Sequence, residues 1–167
     1  MWALAVMGKL DDALEVLDDV RETILKSGME SHLAGLYLIE GIVENACGNL
    51  LEAQSSIQDA LEIYEKRGAL MTMHISLVHL ARIEIESVAS GKSSDIGPWL
   101  ELLEERARLE NYPGLLGIAL SLKALYNIHY GKSRIARDSI RELEDIVYDW
   151  KLHFLERSVK NLQERIS

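Results

Sequence analysis

Four short glycine-led stretches recur along the chain at a nearly constant spacing. They are Gly8-Lys9-Leu10, Gly48-Asn49-Leu50, Gly91-Lys92-Ser93 and Gly131-Lys132-Ser133. Their glycines are therefore 40, 43 and 40 residues apart. Repetition at such a period is typical of stacked helical arrays. It predicts a chain built from similar units, each of which contacts its neighbours.

An apolar stripe follows each glycine at the same offsets. Apolar or aromatic residues lie 5, 9, 12 and 16 positions after each glycine. These offsets step by four, three and four, which places the positions on one face of an α-helix. The four sets are Ala13, Leu17, Val20 and Ile24; Ala53, Ile57, Ala60 and Tyr64; Ile96, Leu100, Leu103 and Ala107; and Ala136, Ile140, Leu143 and Val147. The glycine itself is expected to end the preceding helix, because it adopts the left-handed conformation without a Cβ clash.

The small residues around these glycines resemble the tetratricopeptide repeat (TPR). In that family a small residue precedes the glycine by seven positions, and alanines follow it by five and twelve. The second repeat matches with Gly41, Gly48, Ala53 and Ala60. The third repeat departs most, since Glu84 occupies the small position and Ile96 the first alanine position. The unit is longer than the roughly 34 residues of the standard repeat. This long-unit type resembles the helical domains of maltose-regulator-type ATP-binding signalling proteins.

The periodicity and the resemblance together predict an all-α fold, an α-α superhelix of antiparallel helix pairs. A single TPR-like domain over residues 1–167 would contain about four repeats and a C-terminal capping helix. The predicted repeats are 1–28, 29–68, 69–112 and 113–149, and the cap is 150–167. Met1–Met7 reads as the second half of a helix whose start is missing. That pattern predicts either a fragment of a longer protein or an eroded first repeat.

Composition narrows the class of partner and the compartment. The net charge of −9 and the pI of about 5.0 oppose direct nucleic-acid binding, for which basic surface supplies most of the affinity. The lone Cys47 cannot form an internal disulfide, which suits a reducing cytosol. No apolar run reaches membrane-spanning length, and Met1–Met7 lacks the basic start of a signal peptide. We therefore expect a cytoplasmic protein with no membrane partner.

The motifs of catalysis and cofactor binding are missing from the sequence. It contains no H-E-x-x-H, no phosphate-binding loop, no Gly-x-Gly-x-x-Gly and no Gly-x-Ser-x-Gly elbow. His74 and His79 are five residues apart, so they do not share a helix face and make a poor metal pair. We expect no enzymatic activity, no metal and no cofactor.

The resemblance implies a binding surface on the concave face, which the first helix of each pair lines in TPR arrays. Transfer by repeat offset gives these candidate partner-binding residues: Leu38, Ile42, Asn45, Val78, Ile85, Ile118, Ser121, Leu125 and His129. The basic clamp that some TPR proteins use for a carboxyl terminus is absent. An exposed apolar strip of this length is unusual on a lone monomer. It predicts a cover, either a protein or peptide partner with an apolar segment, missing parts of the parent chain, or a second copy in a homodimer. Strong curvature would instead bury these side chains within the array.

Two functions of different classes fit these predictions. The leading hypothesis is a non-catalytic protein–protein interaction scaffold, a TPR-like module of a larger regulatory or signalling protein. The alternative is a small-ligand sensor domain of a transcriptional regulator, with the effector bound in the superhelical groove, as the resemblance to maltose-type regulators implies. An enclosed pocket with converging polar groups would favour the sensor, whereas an open apolar strip would favour a protein or peptide.

Overall fold

A computed structural model of the chain describes residues 9–28, 32–91 and 98–166, and every regular element in these ranges is an α-helix. The eight helices are α1 Leu10–Ser27, α2 Leu33–Cys47, α3 Leu50–Arg67, α4 Leu70–Ala89, α5 Trp99–Leu109, α6 Pro113–His129, α7 Ser133–Asp149 and α8 His153–Ile166. The prediction of an all-α fold is confirmed for the described residues. Gly8 and the predicted partial helix Met1–Met7 lie outside them, as does most of the polar segment before α5.

The repeat glycines have the conformation that their predicted role requires. Gly48, Gly91 and Gly131 have φ angles of 84°, 73° and 66°, which lie in the left-handed region. At the first of these turns the Gly48 backbone N–H donates to the Asn45 carbonyl over 3.0 Å. The last carbonyls of α2 thereby gain hydrogen-bond donors, and the chain can fold back into α3.

A second set of turns, between one helix pair and the next, has the same spacing as the first. Gly28, Gly68, Asn111 and Lys151 are 40, 43 and 40 residues apart, and their φ angles are 64°, 64°, 49° and 52°. The left-handed turn is therefore retained at all four positions, although glycine occupies only the first two. Asn111 and Lys151 carry a Cβ in a conformation that L-residues adopt at an energetic cost.

The chain divides into two compact units, Met1–Ile83 and Glu84–Ser167, with the boundary inside α4. In the first unit α1 packs on α2, and α2 packs on α3. Ala13 and Leu17 of α1 join Leu36 and Val43 of α2 in a buried cluster. The prediction of one domain, with its repeat boundaries, stays a prediction.

The helices α2 and α3 approach each other closely at Gly41. A Cβ placed on Gly41 would lie 2.3 Å from Cγ1 of Ile57 and 2.7 Å from the carbonyl oxygen of Ala53. Ala53 is itself fully buried. This close contact between α2 and α3 explains why the small position of this repeat holds a glycine.

In the second unit α6 lies at the centre of the packing. It contacts α5, α7 and α8, and α7 also contacts α8. The buried cluster of this unit consists of Leu120, Ala124, Ile140, Leu143, Leu155 and Leu162, two residues from each of α6, α7 and α8. A Cβ on Gly117 would lie 2.4 Å from Cδ1 of Leu155, so the missing side chain lets α8 approach α6.

The outer face of α8 is charged. Arg157, Lys160 and Glu164 are exposed there, whereas the residues forty positions earlier in α6 are Gly117, Leu120 and Ala124, which are buried. A helix with one apolar face needs a neighbour on that face alone. The predicted capping role of residues 150–167 stays a prediction.

Glu84, the residue that departs from the repeat pattern, caps the next helix. Its Oε2 accepts a 2.8 Å hydrogen bond from the backbone N–H of Leu100, and the Trp99 N–H also donates to this carboxylate. These are the first two N–H groups of α5, which have no partner within their own helix. Burial raises the pKa of Glu84 above its usual range, although the two backbone donors partly oppose this effect.

Candidate functional site

The nine predicted partner-binding residues do not form an openly exposed strip. Leu38 and Ser121 are buried, each with 9% exposure, and His129 is the exposed member. The other six, Ile42, Asn45, Val78, Ile85, Ile118 and Leu125, are half-buried. Helix packing is the cause in the second unit, because Ile118 and Leu125 pack against the buried cluster of α6, α7 and α8. In the first unit the Asn45 Oδ1 is buried and accepts no hydrogen bond from the described residues.

Two of the predicted residues meet α8 in an open cleft. Ser121 and Leu125 of α6 form one wall, and the whole cleft has a volume of about 420 Å³. Its lining consists of Ser121, Leu125, Ser158, Asn161, Leu162, Glu164 and Arg165. We call this site the α6–α8 cleft.

The contribution of α8 comes mainly from one helical face. Ser158, Asn161, Leu162 and Arg165 are spaced by three, one and three residues, which brings them to the same side of the helix. Leu162 is only 2% exposed, so it forms the floor of the cleft together with the half-buried Leu125. The cleft therefore combines a small apolar floor with a polar rim.

The polar groups of the rim differ in whether they already have partners. The Ser121 hydroxyl donates a 2.9 Å hydrogen bond to the Gly117 carbonyl of its own helix. Arg165 forms no ion pair, and the Asn161 amide forms no hydrogen bond, with any residue in the described part of the chain. A guanidinium and an amide at the mouth of a cleft can bind the backbone or the polar side chains of an incoming segment.

The α8 residues of the cleft were missing from the sequence prediction, although the repeat could have supplied them. Ser158, Asn161 and Arg165 lie 40 residues after Ile118, Ser121 and Leu125, and 40 is the period of the repeat. The prediction transferred groove positions only as far as the fourth repeat, although the last helix also fits the opening helix of a fifth repeat. Extending the same offsets by one more period gives the second wall of the cleft.

A separate polar pocket lies among α5, α6 and α7, and Glu84 of α4 also lines it. It has a volume of about 310 Å³, and Glu84, Glu104, Lys123, Tyr126 and Asn127 contribute polar groups to its wall. Lys123 Nζ lies 2.7 Å from Glu104 Oε2, and Arg108 Nη2 lies 2.9 Å from Glu104 Oε1. Burial raises the pKa of Glu104, but the hydrogen bonds from these two cations outweigh it, so the pKa is lowered overall. Much of the charge in this pocket is therefore balanced internally.

No group of three or more histidine, cysteine, aspartate or glutamate side chains is arranged to hold a metal ion within the described ranges. None of the helices described for the chain is both long and apolar enough to cross a membrane.

Comparison with known proteins finds no matching family model, no curated protein with significant similarity and no solved structure with significant similarity. The resemblance to TPR proteins therefore stays a prediction from the sequence.

Proposed function

We propose that this chain is a non-catalytic protein-interaction scaffold, a TPR-like module of a larger regulatory or signalling protein, and that the α6–α8 cleft binds a peptide segment of its partner. The observation that supports this proposal most directly is the convergence of five offset-related positions on one cleft. Ser121 and Leu125 come from the predicted concave face, Asn161 and Arg165 occupy their offsets one period later, and Ser158 occupies the offset of Ile118.

The chemistry of the cleft suits a peptide with one apolar side chain and polar neighbours. Leu125 and Leu162 offer an apolar contact at the floor, where an aliphatic or aromatic anchor would lose its hydration. The Arg165 guanidinium and the Asn161 amide lie at the rim, where they can bind backbone carbonyls or an acidic side chain. Peptide grooves combine an apolar anchor site with such polar contacts.

The test begins with peptides selected by phage display on the wild-type chain. Their affinities are then measured by fluorescence anisotropy for Asn161→Arg, which fills the rim of the cleft, and for Gln163→Arg as a matched control. Both residues are exposed on α8, but only Asn161 lines the cleft. We expect Asn161→Arg to weaken binding about tenfold or more and the control to change it by about twofold or less. Equal affinities for the two variants would contradict the location, and failure to select any peptide would contradict the function.

A second candidate is the small-ligand sensor, which would use the polar pocket of α5, α6 and α7. The converging groups Glu84, Glu104, Lys123 and Asn127 favour it, and about 310 Å³ is at the lower limit of ligand-pocket volumes. Thermal-shift screening of small amines and amino acids, with Lys123→Met as the variant, would test this alternative. A stabilising compound whose effect is lost in Lys123→Met would favour the sensor over the scaffold.

A further inference from the structure

Exposed aromatic side chains are concentrated at the turn between α7 and α8. Tyr148 is 85% exposed, Trp150 58% and Phe154 63%. Phe154 and Tyr112 both lie beside Gly114, 3.9 Å and 3.6 Å from the position of an ideal Cβ on that residue. Trp150 lines a cavity of about 260 Å³ together with Tyr112. Aromatic side chains from the turn between α5 and α6 and from the turn between α7 and α8 are thus brought together on the surface.

A groove between α7 and α8 adjoins this turn. Its volume is about 640 Å³, and Val147, Tyr148 and Val159 supply its apolar surface. Three carboxylates, Glu144, Asp149 and Glu156, also line it, together with the Lys151 ammonium group and the His153 imidazole, whose Nδ1 lies 2.7 Å from Glu156 Oε1. We call this site the α7–α8 groove. It is distinct from the α6–α8 cleft, with which it shares no lining residue.

We propose that the α7–α8 groove and the adjoining side chains of Trp150 and Phe154 bind a basic amphipathic segment of a partner protein. Apolar side chains of the segment fill the space beside Val147 and Val159, while its lysines or arginines meet the carboxylates at the rim. Guanidinium groups also stack on exposed aromatic faces, which Tyr148, Trp150 and Phe154 provide. The net charge of −9 attracts a basic segment from a distance.

The size of the surface favours a single segment over a second copy of this chain. With about 200 Å² for each aromatic side chain, the exposed fractions of Tyr148, Trp150 and Phe154 amount to about 400 Å². A stable dimer buries about 800 Å² on each partner, whereas patches of about 300–600 Å² are often functional on monomers. The negative rim would also repel an identical rim on a second copy.

The test uses three labelled synthetic peptides of about 18 residues, long enough for five helical turns. The first alternates leucine and arginine in amphipathic helical order, the second has glutamate in place of arginine, and the third has serine in place of leucine. Fluorescence anisotropy measures their affinity for the wild-type chain. We expect the leucine–arginine peptide to bind about tenfold or more tightly than either of the others, and its affinity to fall as salt is added.

Two pairs of variants locate the binding site. Tyr148→Ser with Phe154→Ser removes aromatic surface at the groove, and Leu51→Ser with Met71→Ser removes exposed apolar side chains of 60% and 63% exposure elsewhere. Asp149→Asn with Glu156→Gln removes two rim charges, and Asp11→Asn with Asp12→Asn removes two exposed charges from α1. We expect about a tenfold loss of affinity for each groove variant and about twofold or less for each control.

Several outcomes would overturn the proposal. They are equal losses for groove and control variants, equal binding of the glutamate peptide, and no measurable binding of the leucine–arginine peptide at millimolar concentration. The single variant Tyr148→Ser guards against misfolding, because a side chain that is 85% exposed contributes little to packing. Circular dichroism of each variant verifies that its helices remain intact.

Discussion

The left-handed turns between helix pairs provide a sharp test of how this chain specifies its fold. Lys151 has a φ of 52°, in the turn that Gly68 makes with a φ of 64° two periods earlier. A Cβ in this region costs about 1–2 kcal/mol. Replacing lysine with glycine relieves that strain, but it also makes the unfolded chain more flexible, which costs about 0.4–1 kcal/mol. We therefore expect Lys151→Gly to stabilise the protein by about 0.5–1 kcal/mol.

The reverse change is equally well defined. Nothing lies within 4 Å of an ideal Cβ on Gly68, so a side chain fits there and backbone strain is the main cost. Gly68→Lys should therefore destabilise the chain by about 0.5–1 kcal/mol, by the same two opposing contributions. Both variants keep the turn hydrogen bonds, since these are made by backbone N–H groups.

Urea unfolding followed by circular dichroism measures both effects. With a slope of about 1–3 kcal/mol per molar urea, the midpoint should rise by a few tenths molar for Lys151→Gly and fall by a similar amount for Gly68→Lys. Lys151→Ala is the control, because it removes the lysine side chain but keeps the Cβ and its strain. If the alanine variant gained as much stability as the glycine variant, the side chain and not the backbone would be responsible, and the reasoning would be wrong.

Three further predictions follow from other contacts. Gly41→Ala should destabilise the chain by about 1–3 kcal/mol in urea unfolding, because its Cβ would lie 2.7 Å from the Ala53 carbonyl oxygen. Gly35→Ala, where the nearest atom is 3.9 Å away, should instead stabilise it by up to about 1 kcal/mol, and equal effects would contradict the packing argument. Burial lowers the pKa of His79 from 6.5 to about 4, so the unfolded chain binds the proton first as the pH falls. As the pH falls from 6.5 to about 4, the free energy of unfolding should therefore decrease by up to about 3 kcal/mol. In His79→Asn the free energy of unfolding should depend less on pH over that range. Glu84→Ala should cost about 1 kcal/mol through the lost cap of α5, and an unchanged urea midpoint would show that the cap has no net effect.

The ends of several helices could be predicted from the sequence, because their determinants are local. The repeat glycine predicts where one helix ends, and the apolar stripe after it predicts where the next helix lies. Accordingly, α2 ends at Cys47 directly before Gly48, α3 begins at Leu50, and α7 begins at Ser133 after Gly131. The left-handed turns at Asn111 and Lys151 also follow from the period, since Gly28 and Gly68 occupy the same offset.

The candidate sites were less predictable, because they depend on contacts between distant residues. Ser121 and Leu125 were found through the repeat offset, but their burial depends on how closely Gly117 lets α8 approach. The exposed surface of Trp150 and Phe154 could not be inferred, since aromatic residues at helical spacing usually face a core. Glu84 departs from the repeat because a small residue is expected at its position, and its capping role could not be predicted because its partner Leu100 is 16 residues away.

The capping contact of Glu84 limits how freely the repeats of this chain can be exchanged. In an ideal array each repeat carries its own helix signals, so one unit can be deleted, duplicated or replaced by a consensus sequence. Here the beginning of α5 depends on a carboxylate from the helix before it, through N–H groups at Trp99 and Leu100. A consensus version with a small residue at position 84 would follow the TPR pattern more closely. It would, however, lose the carboxylate that accepts hydrogen bonds from the Trp99 and Leu100 N–H groups. Engineered shuffling of this protein should therefore move α4 and α5 together, as one inseparable block.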